Sequence, residues 1–210
     1  MTHNNQNPSK VGRSINLVIT SRGLHALTSV DPALAATVMA VTTRVEGRTM
    51  HSLAGEMAYQ SYGPTASFCN FSVSRWELNR VLMDAAEAAG CELFFSHPLQ
   101  HVDVAASKLF FYLFDPAKKQ LYQKTVTSSV VFGADGGGSR CRQAIAGLLH
   151  GEEGCSDVSV PLGYGYKELR MPAAPDGGYA VHKESLHIWP RGSHFIMGLA
   201  NLDGSFTMTL

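Results

Sequence analysis

The feature that most constrains the fold is an apolar run followed at once by a glycine-rich turn and an amphipathic segment. Val130–Phe132 leads into Gly133–Ser139, and apolar residues at helical spacing continue to Leu149. This order predicts a strand, a turn and a helix, the unit from which α/β proteins are built. Backbone N–H groups in such a turn can approach a phosphate, and the helix dipole favours its charge. Because such turns are common, a purely structural turn explains the pattern equally well.

The clearest single element is a helix that begins after Ser74. Ser74 and Glu77 have the spacing of a capping box, in which each side chain bonds a free backbone N–H. Apolar residues then recur at positions 78, 81, 82, 85, 86 and 89, and Gly90 offers a left-handed stop. The pattern predicts one helix with one buried face.

Short strands are predicted on both sides of this helix. Residues 15–19 alternate in polarity, 21–41 form helical pieces, and 43–73 indicate a hairpin around Ala54-Gly55. Further strands are predicted at 91–96, 108–114, 121–126, 158–169, 179–189, 195–199 and 205–210. We therefore predict an α/β (α+β) fold whose C-terminal end is a mostly antiparallel sheet.

Composition and missing motifs exclude several classes of function. Seventeen Lys and Arg balance seventeen Asp and Glu, so there is no basic field for nucleic acid. The longest apolar run, 109–114, is far shorter than the roughly 20 residues of a membrane span. The four cysteines and nine histidines show no metal-binding or redox spacing, and we expect reduced thiols. Neither G-x-G-x-x-G, a P-loop nor G-x-S-x-G is present.

Several ordered blocks carry a resemblance that composition does not show. The blocks are Gly12–Leu17, Arg22-Gly23, Arg48 with Met50-His51, Tyr62-Gly63, Ser72–Arg75 with Leu78-Asn79, Gly133–Gly136, Gly165–Leu169, Leu186–Arg191 and Asn201–Thr207. In this order they resemble the kynurenine 3-monooxygenase family of flavin-dependent aromatic hydroxylases. The His-Ile-Trp-Pro-Arg sequence that ends at Arg191 is the most specific.

The resemblance implies a function, a cofactor and partners. It implies hydroxylation of L-kynurenine to 3-hydroxykynurenine with FAD as cofactor, NADPH as reductant and molecular oxygen as co-substrate, in tryptophan degradation and NAD biosynthesis. It implies a partial FAD-binding hydroxylase fold with an antiparallel substrate-domain sheet. Residues 1–13 are expected to be a disordered arm, 14–42 and 73–150 part of the FAD-binding domain, and 43–72 and 151–210 substrate-side β segments.

The resemblance also bears on chain length and location. Chains of the family extend beyond both ends of this one, which implies a central fragment without the first dinucleotide-binding turn and the C-terminal region. We expect such a fragment to be inactive by itself. The cytoplasm is expected for this chain, and the mitochondrial outer membrane for a full-length eukaryotic form.

Individual positions match the family's substrate and cofactor residues. Arg48 would pair with the carboxylate of kynurenine and Tyr62 would donate a hydrogen bond to it, roles that suit a planar guanidinium and a phenol. The positions implied to shelter the aromatic ring are Leu186, Met197, Leu199 and Thr209. Those implied to contact FAD are Val18, Arg75, Leu99, Asp135 and Gly136. No catalytic acid, base or metal ligand is implied.

Two alternatives remain open at this point. The chain could act as another flavin aromatic-acid hydroxylase on a benzoate-like acid, or it could be a truncated polypeptide without enzyme activity. From the residues alone, Arg48 is also explained by a surface salt bridge and Tyr62 by an ordinary strand aromatic. A plain core strand equally explains the apolar ring-pocket positions.

Overall fold

The computed structural model of the protein describes residues 15–150, 152 and 156–210. The predicted arm at 1–13 lies outside the described residues. The chain divides into two compact units, one formed by residues up to Glu92 together with Gly165–Leu210 and the other by Leu93–Tyr164. The predicted domain boundaries differ from this division and stay a prediction.

The first unit contains a small three-stranded sheet covered by helices. Its strands are β1 (Asn16–Ile19), β2 (Thr43–Val45) and β5 (Asn70–Ser74), and its helices are α1 (Ser21–Val30), α2 (Pro32–Met39) and α3 (Arg75–Ala88). The strand order is β1-β5-β2, with antiparallel pairing throughout. Ile19, Val38, Val73 and Val81 form the core between sheet and helices. Among the described residues, no helix combines the length and apolarity that crossing a membrane requires.

Helix α3 confirms the predicted element but not its capping box. It ends at Ala88, and Gly90 follows with φ +87°, the left-handed conformation expected of a stop. The Ser74 side chain makes no capping hydrogen bond. The Glu77 carboxylate forms an ion pair with Arg80 at 3.0 Å instead. Arg80 is three residues further along α3, so the two side chains lie on the same face of the helix.

A six-stranded sheet forms the rest of the first unit. Its strands are β3 (Gly47–His51), β4 (Met57–Ser61), β9 (Glu168–Met171), β10 (Ser185–Arg191), β11 (His194–Ala200) and β12 (Phe206–Thr209). The order is β4-β3-β10-β11-β12-β9, and only the β3–β10 pair is parallel. One face packs on a core centred on Ala200, Phe206 and Met208.

The second unit is a β-meander with one helix. It consists of β6 (Leu99–Asp103), β7 (Lys108–Asp115), β8 (Gln120–Thr127) and α4 (Arg140–Leu148). Consecutive strands pair antiparallel. The β7–β8 turn is shaped by Asp115, whose Oδ1 accepts hydrogen bonds from the N–H groups of Ala117 and Lys118 at 2.9 and 3.2 Å.

Two predicted strands are wrong, because residues 91–96 and 130–132 have no strand conformation, and Phe132 is 91% exposed. The strands predicted at 158–169 and 179–189 are present only in part, since β9 begins at Glu168 and β10 at Ser185. The segments 91–96 and 130–132 are apolar, but they join no sheet in the described part of the chain, and a strand needs the backbone hydrogen bonds of a neighbouring strand to stay extended. The helix that follows the glycine turn is present, so only the strand half of the predicted unit fails.

Candidate functional site

One face of the six-stranded sheet collects most of the residues predicted to bind substrate. Arg48 lies opposite Leu186 in the β3–β10 pair, and Met197 lies opposite Thr209 in the β11–β12 pair. Met197 is also opposite Ile188, two residues beyond Leu186, and Leu199 is two residues beyond Met197. Because cross-strand partners share a face and alternate residues along a strand return to it, all five side chains lie on one side of the sheet.

Arg48 is oriented by a neighbour on the next strand. Its exposed guanidinium donates from Nε to Oε1 of Gln60, its cross-strand partner, at 2.8 Å. Among the residues that the structure describes, Arg48 forms no ion pair, so the surface salt bridge is excluded for this part of the chain. The two terminal nitrogens are left available, and together they present the end of the guanidinium fork to a carboxylate.

Tyr62 lies just beyond β4 and is half-buried. Its backbone N–H donates to the carbonyl of Glu46 at 2.9 Å, which ties the residue to the start of β3. Burial raises the pKa of the Tyr62 phenol, and the nearby Arg48 guanidinium opposes that rise. The phenol therefore keeps its proton at neutral pH and can donate it in a hydrogen bond.

The opposite face of the sheet buries a pair of histidines that the sequence analysis gave no role. His187 Nε2 bonds the carbonyl of His182 at 2.8 Å and must donate there, so its Nδ1 accepts from His51 Nε2, also at 2.8 Å. Trp189 stacks on His51 with ring centroids 4.3 Å apart. Burial lowers the pKa of both imidazoles. The pair is neutral and structural.

A large cavity of about 1000 Å³ opens in the first unit along β1, β5, β9 and β12. Asn16 on β1 lines one side of the cavity and donates from Nδ2 to Ser72 Oγ at 3.1 Å and to Asn201 Oδ1 at 2.9 Å. These three residues belong to three different blocks of the family resemblance, and the fold brings them together at this cavity. Two buried acceptor atoms in its lining, Asn16 Oδ1 and Glu168 Oε2, have no hydrogen-bond partner among the described residues.

The glycine turn of the second unit is closed by Asp135. Its Oδ1 accepts from Ser139 Oγ at 2.6 Å, and its Oδ2 accepts from the N–H groups of Arg140 and Cys141 at 2.6 and 3.3 Å. Ser139 Oγ in turn accepts from the N–H of Arg142 at 2.9 Å. These first N–H groups of α4 are engaged by the protein itself and are not free for a phosphate, whereas phosphate binding by the glycine turn that precedes them stays a prediction.

The same turn suits the hydroxyl-bearing part of a dinucleotide. The hydrogen bond from Ser139 lowers the pKa of Asp135, which keeps an ionised acceptor at the surface with lone pairs to spare. Gly136 has φ +75°, and a Cβ added at Gly136, Gly137 or Gly138 would meet nothing within 4 Å. The space beside these three glycines is therefore free of other protein atoms and accessible to a ligand.

A cavity of about 440 Å³ adjoins this turn within the second unit. Gly133 and Ser139 contribute to its lining, together with Val102, Leu109 and Ile145. Leu99, predicted to contact FAD, is half-buried at the start of β6. The turn and its surroundings therefore offer both a polar acceptor and an apolar wall.

The other two predicted cofactor residues lie in the first unit. Arg75 is the first residue of α3 and is exposed. Its side chain has no hydrogen-bond or ion-pair partner in the described part of the chain, which leaves a free cation for a phosphate. Val18 on β1 is 45% exposed, an unusual environment for a strand valine and one that suits a packing contact.

Comparison with known proteins identifies the family. Residues 25–174 match the family model described as FAD binding domain. The chain is 41% identical over 200 residues to kynurenine 3-monooxygenase of Myxococcus xanthus, and 38% identical over 201 residues to that of Flavobacterium psychrophilum. Each alignment covers 95% of this chain but only 41% and 42% of the relative. The chain thus spans about two fifths of the length of these relatives.

Solved structures agree on the fold. Klebsiella pneumoniae HpxO, solved in complex with FAD, superposes with a TM-score of 0.66 at 12% identity, over 92% of this chain and 47% of that one. The predicted α/β class and partial flavoprotein hydroxylase fold are confirmed, as is the resemblance on which they rested. The chain belongs to the FAD binding domain family.

Proposed function

We propose that this member of the FAD binding domain family forms part of an FAD- and NADPH-dependent monooxygenase that hydroxylates the ring of L-kynurenine at position 3. The observation that carries the proposal is the single sheet face shared by Arg48, Leu186, Met197, Leu199 and Thr209. On this face the Arg48 guanidinium lies at one end of a row of mostly apolar side chains. A substrate with a carboxylate at one end and an aromatic ring at the other matches that arrangement.

The dimensions of this face suit kynurenine. Arg48 and Thr209 lie on strands that are three positions apart, or about 14 Å at the usual strand spacing. An arginine side chain and an amino acid with one aromatic ring can together span that distance. Arg48 would hold the carboxylate end-on while Tyr62 donates its O–H to it. Leu186, Met197 and Leu199 would support the ring and exclude water.

FAD, when bound, supplies the activation of molecular oxygen with electrons from NADPH. Of this chain's residues, Asp135 would accept hydrogen bonds from cofactor hydroxyl groups and Gly136 would leave room for their approach. Arg75 would pair with a cofactor phosphate. Val18 and Leu99 would make packing contacts with FAD. The protein would position the aromatic ring beside the cofactor and exclude water from the site.

A chimaera tests the proposal. This chain would replace the matching segment of the Myxococcus xanthus relative, and the product of kynurenine, NADPH and oxygen would be identified by mass spectrometry. We expect 3-hydroxykynurenine and NADPH consumption that depends on kynurenine. A flavin-loaded chimaera that hydroxylates benzoate-like acids but not kynurenine would favour the alternative hydroxylase.

Direct binding tests the same proposal without a requirement for turnover. L-kynurenine would be titrated calorimetrically into the 210-residue chain and into its Arg48→Met variant. We expect binding by the first that is weakened in the second. If neither the chain nor a folded chimaera binds kynurenine, the proposal is wrong.

A further inference from the structure

The two sheets of the first unit are directly connected where β2 continues into β3. Strand β2 ends at Val45 and β3 begins at Gly47, so Glu46 alone separates the small sheet from the six-stranded sheet at this point. The Glu46 N–H donates to the carbonyl of Glu184, immediately before β10, at 2.8 Å. This hydrogen bond fixes the connection to the six-stranded sheet.

Asn16 joins the same two sheets at the opposite edge of the small one. Its strand, β1, lies two strand spacings from β2, or about 10 Å. Asn16 donates from Nδ2 to Oδ1 of Asn201 at 2.9 Å, and Asn201 directly follows β11 of the six-stranded sheet. We call this contact the Asn16–Asn201 bridge. A rotation of the small sheet about Glu46 would move β1 further than β2, so the bridge lies where it restricts that rotation effectively.

The orientation of both amides follows from their surroundings. Asn16 Nδ2 lies 3.5 Å from the carbonyl oxygen of Ala200, which can only accept, so Nδ2 and not Oδ1 must face that side. Asn201 then presents its Oδ1 to the bridge, while its Nδ2 donates to the hydroxyl oxygens of Ser205 and Thr207, each at 3.1 Å. Asn16 Oδ1 is left buried without a partner among the described residues. The fold therefore keeps the bridge although this orientation leaves one acceptor unsatisfied, which is unfavourable.

The bridge joins a proposed cofactor contact to a proposed substrate contact. Val18 is two residues beyond Asn16 on β1, so both side chains lie on the same face of the small sheet. On the other side of the bridge, Asn201 is bonded to Thr207, which is the cross-strand partner of Leu199. The bridge therefore sets the distance between the strand proposed to contact FAD and the strand proposed to support the aromatic ring.

We propose that Asn16 is a positioning residue for ring hydroxylation, an inference that rests on the proposed function. Through Asn201 it holds the six-stranded sheet, and the substrate ring on that sheet, at a fixed position relative to the small sheet. Hydroxylation of one ring carbon needs such a fixed position, because a displacement of about 1 Å can cost roughly 100-fold in rate. Arg48 lies two residues beyond Glu46, beside the covalent connection rather than at the bridge. Loss of the bridge should therefore misplace the ring without releasing the carboxylate.

The product yield of the Myxococcus xanthus chimaera tests the inference. Asn16→Ala should form several-fold less 3-hydroxykynurenine per NADPH consumed than the parent, and Asn201→Ala, which removes the bridge from the other side, should do the same. Partial unfolding lowers the amount of active enzyme but not this ratio. Ser72→Ala is the matched control, because it removes the partner of Asn16 within the small sheet and leaves the bridge in place. It should keep the parent's yield.

Kynurenine affinity is the second measurement, made by calorimetry on the 210-residue chain. The Kd of Asn16→Ala should stay within about twofold of the parent, because no contact to the substrate is removed. A much weaker Kd would show that Asn16 acts on binding rather than on the position of the ring, and would overturn the inference.

A double-mutant cycle measures the bridge itself in the same chain. Urea unfolding would be followed for Asn16→Ala, Asn201→Ala and the double variant. If the two side chains bond each other, the single changes should be non-additive by about 2- to 10-fold in the unfolding equilibrium constant, the value of one hydrogen bond. Strictly additive effects would show that the bridge does not form, and the inference would be wrong.

The outcomes also separate this inference from the proposed function. If the parent chimaera forms no 3-hydroxykynurenine, the proposed function is wrong and the inference is wrong with it. If the parent is active but Asn16→Ala keeps its yield per NADPH, or Ser72→Ala lowers that yield equally, the function stands and only the inference is wrong.

Discussion

The Arg48 guanidinium is held by Gln60, which accepts its Nε–H at 2.8 Å from the adjacent position on β4. This contact occupies the Nε side of the guanidinium, and no other residue in the described part of the chain bonds its two terminal nitrogens, which we propose for a ligand. A carboxylate must then bind end-on rather than side-on. Gln60 thus acts as a positioning residue for Arg48.

Replacing Gln60 tests that relationship. Gln60→Leu should raise the Kd for kynurenine several-fold, because Arg48 must then be ordered by the ligand itself. Gln60→Glu should raise it further at neutral pH, because the new carboxylate competes for the guanidinium, and acidification should reverse the added loss. Calorimetry of both variants checks this, with Gln123→Leu on β8 as control. Equal Kd values for Gln60→Glu and Gln60→Leu at all pH values would contradict it.

Arg48 itself should set carboxylate affinity. Arg48→Met should raise the Kd for kynurenine about 10- to 100-fold, the loss expected for a charge-assisted hydrogen bond. Arg48→Lys should recover only part, because an ammonium lacks the planar fork. Flavin content of the chimaera should not change. A Kd for Arg48→Met within twofold of the parent would rule the role out.

Asp135 should affect both flavin retention and the folding of α4, because it bonds the helix's first N–H groups and offers free lone pairs outward. Asp135→Ala should lower the thermal midpoint and the flavin content of the chimaera. Ser139→Ala is the matched control, since Ser139 caps the same helix by accepting from Arg142. It should lower the midpoint but retain flavin after gel filtration. Equal flavin loss in both variants would assign Asp135 to folding alone.

Gly47 should tolerate no side chain. A Cβ there would lie 2.4 Å from the carbonyl oxygen of Gln60 and 2.7 Å from the Tyr59 ring, and the backbone contact cannot move aside. Gly47→Ala should cost about 1 to 3 kcal/mol of unfolding free energy, as overpacking does. Gly165→Ala, where a Cβ meets nothing within 4 Å, should be nearly neutral. Urea denaturation of the two variants provides the comparison.

The buried histidines should make stability depend on pH. Burial lowers the pKa of His51 and His187 from the usual 6.5, so the unfolded chain binds protons that the folded chain excludes. The free energy of unfolding should therefore be fully retained above pH 6.5 and fall below it, by up to about 1.4 kcal/mol per pH unit for each histidine. Urea titrations at pH 7.5 and 5.5 measure this. His187→Gln should flatten the dependence, whereas exposed His194→Gln should not.

Local sequence patterns predicted the elements whose signals lie within a few residues. The periodicity of 78–89 and the glycine at 90 located α3, and Asp115 with Pro116 located the β7–β8 turn. The patterns failed where a partner was needed. Residues 91–96 and 130–132 have the apolar character of strands, but a strand exists only when another strand completes its ladder.

The sequence by itself determined the α/β class, the family and the residues worth testing, because helix caps, turn chemistry and ordered motifs are properties of short stretches of chain. Only the tertiary structure decided how those residues act. Sheet register placed Arg48 beside Gln60 and Glu168 beside Thr209, and it joined His51 to His187 across 136 residues of sequence. Whether a polar atom is satisfied depends on groups brought from far along the chain, and no local pattern records which atom is left without a partner.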